Sequence, residues 1–304
     1  MTYDYTTIGH VTIDVLADGS RQPGGSALYS ALQAARLGRR TRIVTQGHPD
    51  ELEELLDPYR AELDITVLPA EQTTTLLTTG SGEGRRQRVL AWAGPLAQDL
   101  DLESAILHLA PVARETPTRW SGRAGFVGLT PQGLARQWSG EDGEMSLGSR
   151  GAGTAAAPQE EGSTPGRGVA DALGLATACD AIVVSREERG ACADLIAAGS
   201  RAGAIVAMTA GPDPATILLP DGSSLQSPVP PIERPGGDLG AGDVFAAALF
   251  VMLADRSPPA PAAAFASAAA AVRMRGSGPH AVGGRQAIEE LLQQPSATGA
   301  DVPG

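Results

Sequence analysis

The sequence predicts an α/β fold, a mostly parallel sheet sandwiched between helices with a small β-lid standing off it. Three observations carry that expectation. Short apolar runs alternate with helical periodicities along most of the chain. The helical stretches are punctuated by glycine, as at Gly38 and Gly276. Two β-rich segments joined by a glycine turn interrupt the alternation early in the chain.

The core strands are read at Tyr5–Ile8, Arg42–Thr45, Ile106–Leu109, Phe126–Leu129, Ala181–Val184 and Ile205–Met208, each short, apolar and bounded by polar or turn residues. Helices are read at Ser26–Leu37 and Arg186–Ala198, from Asp243 towards Ala254, and over Pro261–Met274. A last helix carries Glu289 and Glu290. Thr73–Thr79 and Gln87–Trp92, joined by GSGEG, read as a hairpin. With Val11–Leu16 it makes a lid drawn from about residues 11–22 and 70–95. The Gly-, Ser-, Ala- and Pro-rich stretch 146–168 lacks periodicity and reads as a flexible insertion. One domain is expected over residues 1–293, with a disordered tail at 294–304.

Composition narrows the function. Hydrophobic residues form 42% of the 304 and charged residues 19%, an ordinary globular balance. The net charge of −12 and the absence of a basic stripe argue against nucleic acid as a partner. The sequence contains no lysine, so every basic residue is an arginine. That excludes a Walker A lysine, a protein-kinase strand lysine and Schiff-base chemistry. Phosphate must be met by backbone N–H groups, arginine or a metal. Cys179 and Cys192 form no metal or disulfide pattern and read as reduced core thiols. The start of the chain lacks signal-peptide character and no run reaches membrane-spanning length, so the cytoplasm is expected and no membrane partner.

The strongest chemical signal is Pro235-Gly-Gly-Asp-Leu-Gly-Ala-Gly-Asp-Val-Phe245. A glycine-rich loop opens directly into an apolar helix, whose first N–H groups and positive dipole end attract an anion. Gly240, Ala241 and Gly242 let the backbone approach that anion closely. Asp243 then stands where a carboxylate can take the proton of an attacking hydroxyl. The competing reading is a helix cap, which needs one Asp and leaves the flanking glycines unexplained.

These residues resemble the ribokinase-like, or PfkB, carbohydrate kinases, whose D-T-x-G-A-G-D motif matches Gly237–Asp243, with Gly237 and Asp238 in place of Asp and Thr. Further segments agree in order. Asp14 in GHVTIDVL matches an acidic substrate-binding residue, and Gly24-Gly25 in PGGSALYSA matches the substrate glycine pair. Ser185-Arg-Glu-Glu188 matches the N-x-x-E motif of magnesium and phosphate binding, with Ser185 in place of Asn. Thr209-Ala-Gly211 resembles the T-x-G turn along the nucleotide. AAFASAAAAVRMRGSGP, with Ser267 and Gly276, resembles the helix and turn beside adenine. The resemblance implies a three-layer α/β/α sandwich, ATP and Mg²⁺ (held near Glu188) as donor and cofactor, a monovalent-cation site near the motif, and a monomer or a homodimer through the β-lid.

Tyr29 stands where ribokinases proper carry a furanose-binding Asn. The combination with GRRQRVLAWAGPL, LTPQG and VVSREE looks most like a branch that includes myo-inositol kinases. That branch implies that Arg88 reaches the substrate from the lid, a solvated arginine being the alternative reading. Gln132, at a strand end, reads either a substrate hydroxyl or water. The expectation is a kinase for a small polyol, cyclitol or sugar. A nucleoside kinase, with Trp92 as base platform, and a non-catalytic pseudokinase are the rivals.

Overall fold

The computed structural model describes residues 3–97, 100–117, 120–138, 143–148, 167–232 and 234–294. The elements run β1 (Tyr3–Ile8), β2 (Thr12–Val15), β3 (Arg21–Gly24), α1 (Ser26–Arg36), β4 (Thr41–Gly47), α2 (Pro49–Leu56), β5 (Leu63–Pro69), β6 (Thr75–Thr79) and β7 (Arg86–Ala91). There follow β8 (Ser104–Leu109), β9 (Ala124–Leu129), the single-turn α3 (Gln132–Ala135), β10 (Arg136–Trp138), β11 (Met145–Leu147), α4 (Arg167–Thr177) and β12 (Ala181–Ser185). The chain closes with α5 (Ala193–Ala202), β13 (Ile205–Ala210), β14 (Asp213–Leu218), β15 (Ser224–Ser227), α6 (Ala241–Ala254), α7 (Pro259–Met274) and α8 (Arg285–Gln293).

A nine-stranded sheet in the order β15-β14-β13-β12-β9-β8-β1-β4-β5 forms the centre. It is parallel from β13 to β5, and β14 and β15 add an antiparallel edge. Strand alternation sends Tyr5, Ile43, Ile106, Ala181 and Val183 to a layer made with α1, α6, α7 and α8. Ile8, Val44, Leu107, Ile182 and Val184 face the opposite layer, with α4 and α5. This is the expected three-layer sandwich, and every strand read for its core is present. α6 is apolar on all sides because it is buried from Val244 to Val251, against the sheet and α7. Gly128 of β9 lets the Phe250 ring lie on the strand, since a Cβ there would stand 2.3 Å from it. Cys179 and Cys192 are buried thiols outside any disulfide, and no helix among the described residues is long and apolar enough to cross a membrane.

The lid is a second sheet, β3-β2-β6-β7, in which β6 and β7 form the expected hairpin and β2 joins β6 in parallel. Its inner face packs Leu76 and Val89 against Val112, Ala113, Trp92 and Trp138.

Three expectations need correction. The helix read from Arg186 begins at Ala193; the intervening residues turn, because Ser185 and Glu188 bond each other locally. The insertion read from 146 overlaps at one end β11, antiparallel to β10, and at the other end α4. Its interior, 149–166, and the tail from 295 lie outside the described residues. The strands β5, β14 and β15, which extend the sheet at both edges, were not among those expected.

Candidate active site

The site lies where β1, β9 and β12 end, at the point where chain order in the sheet reverses on either side of β1. Residue by residue, the sequence dictates its walls.

Gly240 caps α6 with φ 78 and ψ 0, a left-handed conformation that favours glycine, and no side chain caps the helix. The Ala241 N–H turns back to the Asp238 carbonyl (3.2 Å) and the Val244 N–H to the Gly240 carbonyl (2.9 Å). That leaves the amides of Gly242 and Asp243 as the open donors of the turn. Gly242 is exposed and a Cβ there would meet nothing within 4 Å, so the turn is not plugged by protein.

The Asp243 carboxylate accepts a hydrogen bond from Ser26, and its pKa rises to about 6 through burial, with Glu188 adding to the rise and Arg136 and Arg85 opposing it. Asp14 on β2 is 4% exposed, and its Oδ1 accepts a 2.7 Å bond from Thr12 Oγ1. Burial lifts its pKa to about 6 as well, against the hydrogen bond from Thr12 and the fields of Arg136 and Arg85. Asp14, buried, and Asp243, half-buried, thus share the field of the same two guanidinium groups.

The glycine pair is needed sterically. A Cβ on Gly24 would stand 2.1 Å from Asp14 Oδ2, and one on Gly25 2.3 Å from the His10 carbonyl. The PGGSA segment therefore places Gly24 against one carboxylate and Ser26, the first residue of α1, against the other.

At the end of β12, Glu188 accepts from the Ser185 N–H (2.9 Å), and Ser185 Oγ accepts from the Glu188 N–H (3.3 Å). Gln132 Nε2 donates to the same carboxylate at 2.6 Å. Gln132, read as a substrate contact, thus orients Glu188. Thr209 Oγ1 bonds the Val184 carbonyl and Gly211 turns with φ 60 between β13 and β14. Beside them runs a groove of about 350 Å³ lined by Arg186, Arg189, Met208, Thr209, Asp213 and Gln226. Gly276 packs on the backbone of Gly236 ahead of the turn.

Four expected contacts are placed differently. Tyr29 is 2% exposed and lies under Gly240, so it seats the turn instead of lining the cleft. Ser267 is 1% exposed and its Oγ lies 3.0 Å from Ser227 Oγ, tying α7 to the sheet edge. Arg88 is exposed on the outer face of the lid, paired in register with Leu77, whereas Gln87 and Val89 point inward. Trp92 is committed to the lid core: its indole N–H bonds the Ala113 carbonyl and its ring packs on Trp138.

The cations that do serve the cleft are Arg85 and Arg136. Arg136 is buried, with Nη1 donating to the Val112 carbonyl and Nη2 to Gln87 Oε1, and it feels Glu188, Asp243 and Glu115. The sequence reading missed both; strand parity in RRQRVL and the strand-end position of LTPQGLAR are the signals that could have found them. Arg273, buried in α7, donates to the Leu239 and Gly276 carbonyls and lies 5.1 Å over the Tyr29 ring.

Residues 175–282, which include Glu188 and the Asp243 turn, match the model of the pfkB family carbohydrate kinases. No curated protein matches the chain. Among solved structures the chain is similar to a pyrophosphate-dependent kinase in the ribokinase family, complexed with a pyrophosphate analog and myo-inositol. The TM-score is 0.71 at 20% identity, over 94% of this chain and 99% of that one. The fold is ribokinase-like. This ribokinase-like chain is also similar to Arabidopsis thaliana ribokinase complexed with ribose and ATP (TM-score 0.66, 15% identity, 97% and 100% covered). A third likeness is to Burkholderia thailandensis nucleoside kinase in complex with inosine (0.69, 17%, 94% and 96%).

Proposed function

We propose that this protein is a kinase that transfers a phosphoryl group to a hydroxyl of a small polyol, cyclitol or sugar. The observation that carries the reading is the Asp243 carboxylate beside an open amide turn, with Asp14 sharing its electrostatic environment. Asp14 accepts a hydrogen bond from the acceptor and fixes its orientation. Asp243 takes the proton of the attacking hydroxyl. The amides of Gly242 and Asp243, with Arg136 and Arg85, offset the negative charge on the transferring group.

The carboxylate of Glu188 is suited to a hard cation, and Ser185 and Gln132 hold it in place. Mg²⁺ held there would neutralise donor phosphate charge. The donor would occupy the Thr209 groove with Arg186 and Arg189 on its wall. The lid, whose inner face is apolar at Leu76 and Val89, excludes water from the acceptor.

A cyclitol acceptor is supported by the motifs of the inositol-kinase branch and by the likeness to the myo-inositol-complexed kinase. With Trp92 committed to the lid core, the aromatic platform expected of a nucleoside kinase is not supplied by that residue. A second reading concerns the donor. Ser267, expected beside adenine, is buried against Ser227, which favours a donor without a base, namely pyrophosphate.

The test is product formation from inositols, sugars and nucleosides, with ATP and pyrophosphate compared as donors in the presence of Mg²⁺. Asp243→Asn should bind donor as the parent does and lose at least ~10²-fold in turnover. Donor binding without turnover on every acceptor would favour the pseudokinase reading.

A further inference from the structure

The tip of the lid is tied to the loop that leads into the amide turn. Asp238 Oδ2 accepts a 2.8 Å bond from the Gly82 N–H at the tip of the β6–β7 hairpin, and its Oδ1 pairs with the Arg85 guanidinium. Both side chains are about three-quarters buried, at 27% and 25% exposure, so this pair is less screened than an ion pair in open solvent. The same residue uses its carbonyl to hold the Ala241 N–H, the first amide of the turn. Asp238 therefore touches the lid with its side chain and the phosphate turn with its backbone.

The hairpin tip is shaped to reach this residue. Gly80 and Gly82 take φ of 71 and 53, and a Cβ on Gly80 would stand 2.5 Å from the Gly84 carbonyl. The resulting tight tip presents the Gly82 amide and Arg85 together. Arg85 keeps a buried Nε without a hydrogen-bond partner, and its charge is felt at Asp14 and Asp243. A threonine at 238, as in the motif that this segment resembles, has no charge to offer Arg85.

We propose that Asp238 is a positioning residue that latches the lid, so that lid closure and the geometry of the amide turn are set together. Opening the lid breaks both side-chain bonds of Asp238 and frees the loop that presents Gly240–Asp243. Closing it restores the turn and delivers Arg85 to the cleft in one movement. The role in turnover rests on the kinase reading above; the latch itself does not.

The test compares Asp238→Asn and Asp238→Glu with the parent chain by hydrogen exchange over residues 80–90 and by steady-state kinetics. Asp238→Asn should speed exchange at the Gly82 amide by ~10-fold or more and raise the acceptor KM more than it lowers kcat. Asp238→Glu, which keeps the charge, should restore most of both. Arg85→Gln should reproduce the exchange effect. Unchanged exchange at the lid tip in Asp238→Asn would overturn the latch whether or not turnover is found. So would an Asp238→Glu protein as impaired as the Asn variant. Faster exchange with no turnover in the parent would uphold the latch and count against the kinase reading alone.

Discussion

The ring of Tyr29 lies directly beneath Gly240, so close that a Cβ on Gly240 would stand 2.3 Å from its Cγ. Arg273 stacks over the same ring and grips the Leu239 carbonyl, so an aromatic and a guanidinium together seat the amide turn. Gly240→Ala meets two obstacles there, a left-handed φ and the ring. It should lower kcat by ~10²-fold and destabilise the fold by roughly 1–3 kcal/mol. Thermal melts with single-turnover assays check this. Tyr29→Phe should be mild in comparison, since the supporting ring remains.

The pH dependence follows from the two cleft carboxylates. In the proposed reaction each must be ionised to act, Asp243 as base and Asp14 as hydrogen-bond acceptor, and each has a pKa raised to about 6. The kcat/KM should therefore fall below pH ~6 with a log slope approaching 2. In Asp14→Asn the slope should approach 1 at reduced activity. A slope unaffected by that substitution would remove Asp14 from the ionisations that matter.

Asp14 also carries a cost to stability. Its folded pKa lies above its unfolded value of 3.8, so the fold favours the protonated form. Its contribution is fully present below about pH 3.8 and is lost as pH rises through about 6. Asp14→Asn, which keeps an acceptor for Thr12, should thus gain about 1–3 kcal/mol at pH 7 and nothing near pH 4. Denaturant melts at the two pH values compare the gains. The usual expectation for an active-site substitution, higher stability with lower activity, would then have a named cause.

What could be read in the sequence is what depends on local pattern. Apolar runs gave the inner strands, and the glycines at 240 and 242 marked the turn because only a backbone that must approach something closely needs them there. Edge strands such as β15 were missed because half of their residues face solvent and their sequence is polar, as in Ser224-Leu-Gln-Ser227. The roles of Tyr29, Ser267 and Gln132 depend on contacts forty or more positions away in the chain. Pattern reports which residue types are present, and not which partner takes up their polar atoms. Arg88 lies on the outer face for a simpler reason. One step along a strand turns a side chain to the opposite face, so in RRQRVL the identity of the functional arginine depends on register.

That register makes the last prediction a comparison among arginines. Arg136 is buried with both terminal nitrogens committed, one to Val112 and one to Gln87, and its charge faces Glu188 and Asp243. Lysine would keep the charge but lose the fork that fixes it between the lid strand and the core. Arg136→Lys should therefore lower kcat by ~10-fold or more, and Arg136→Met by ~10²-fold or more, since neither the geometry nor the field remains. Arg88→Ala, on the outer face of the lid, should change kcat/KM by less than ~3-fold. If the order were reversed, with Arg88 indispensable and Arg136 replaceable by methionine, the inner face of the lid would have been assigned the wrong way round.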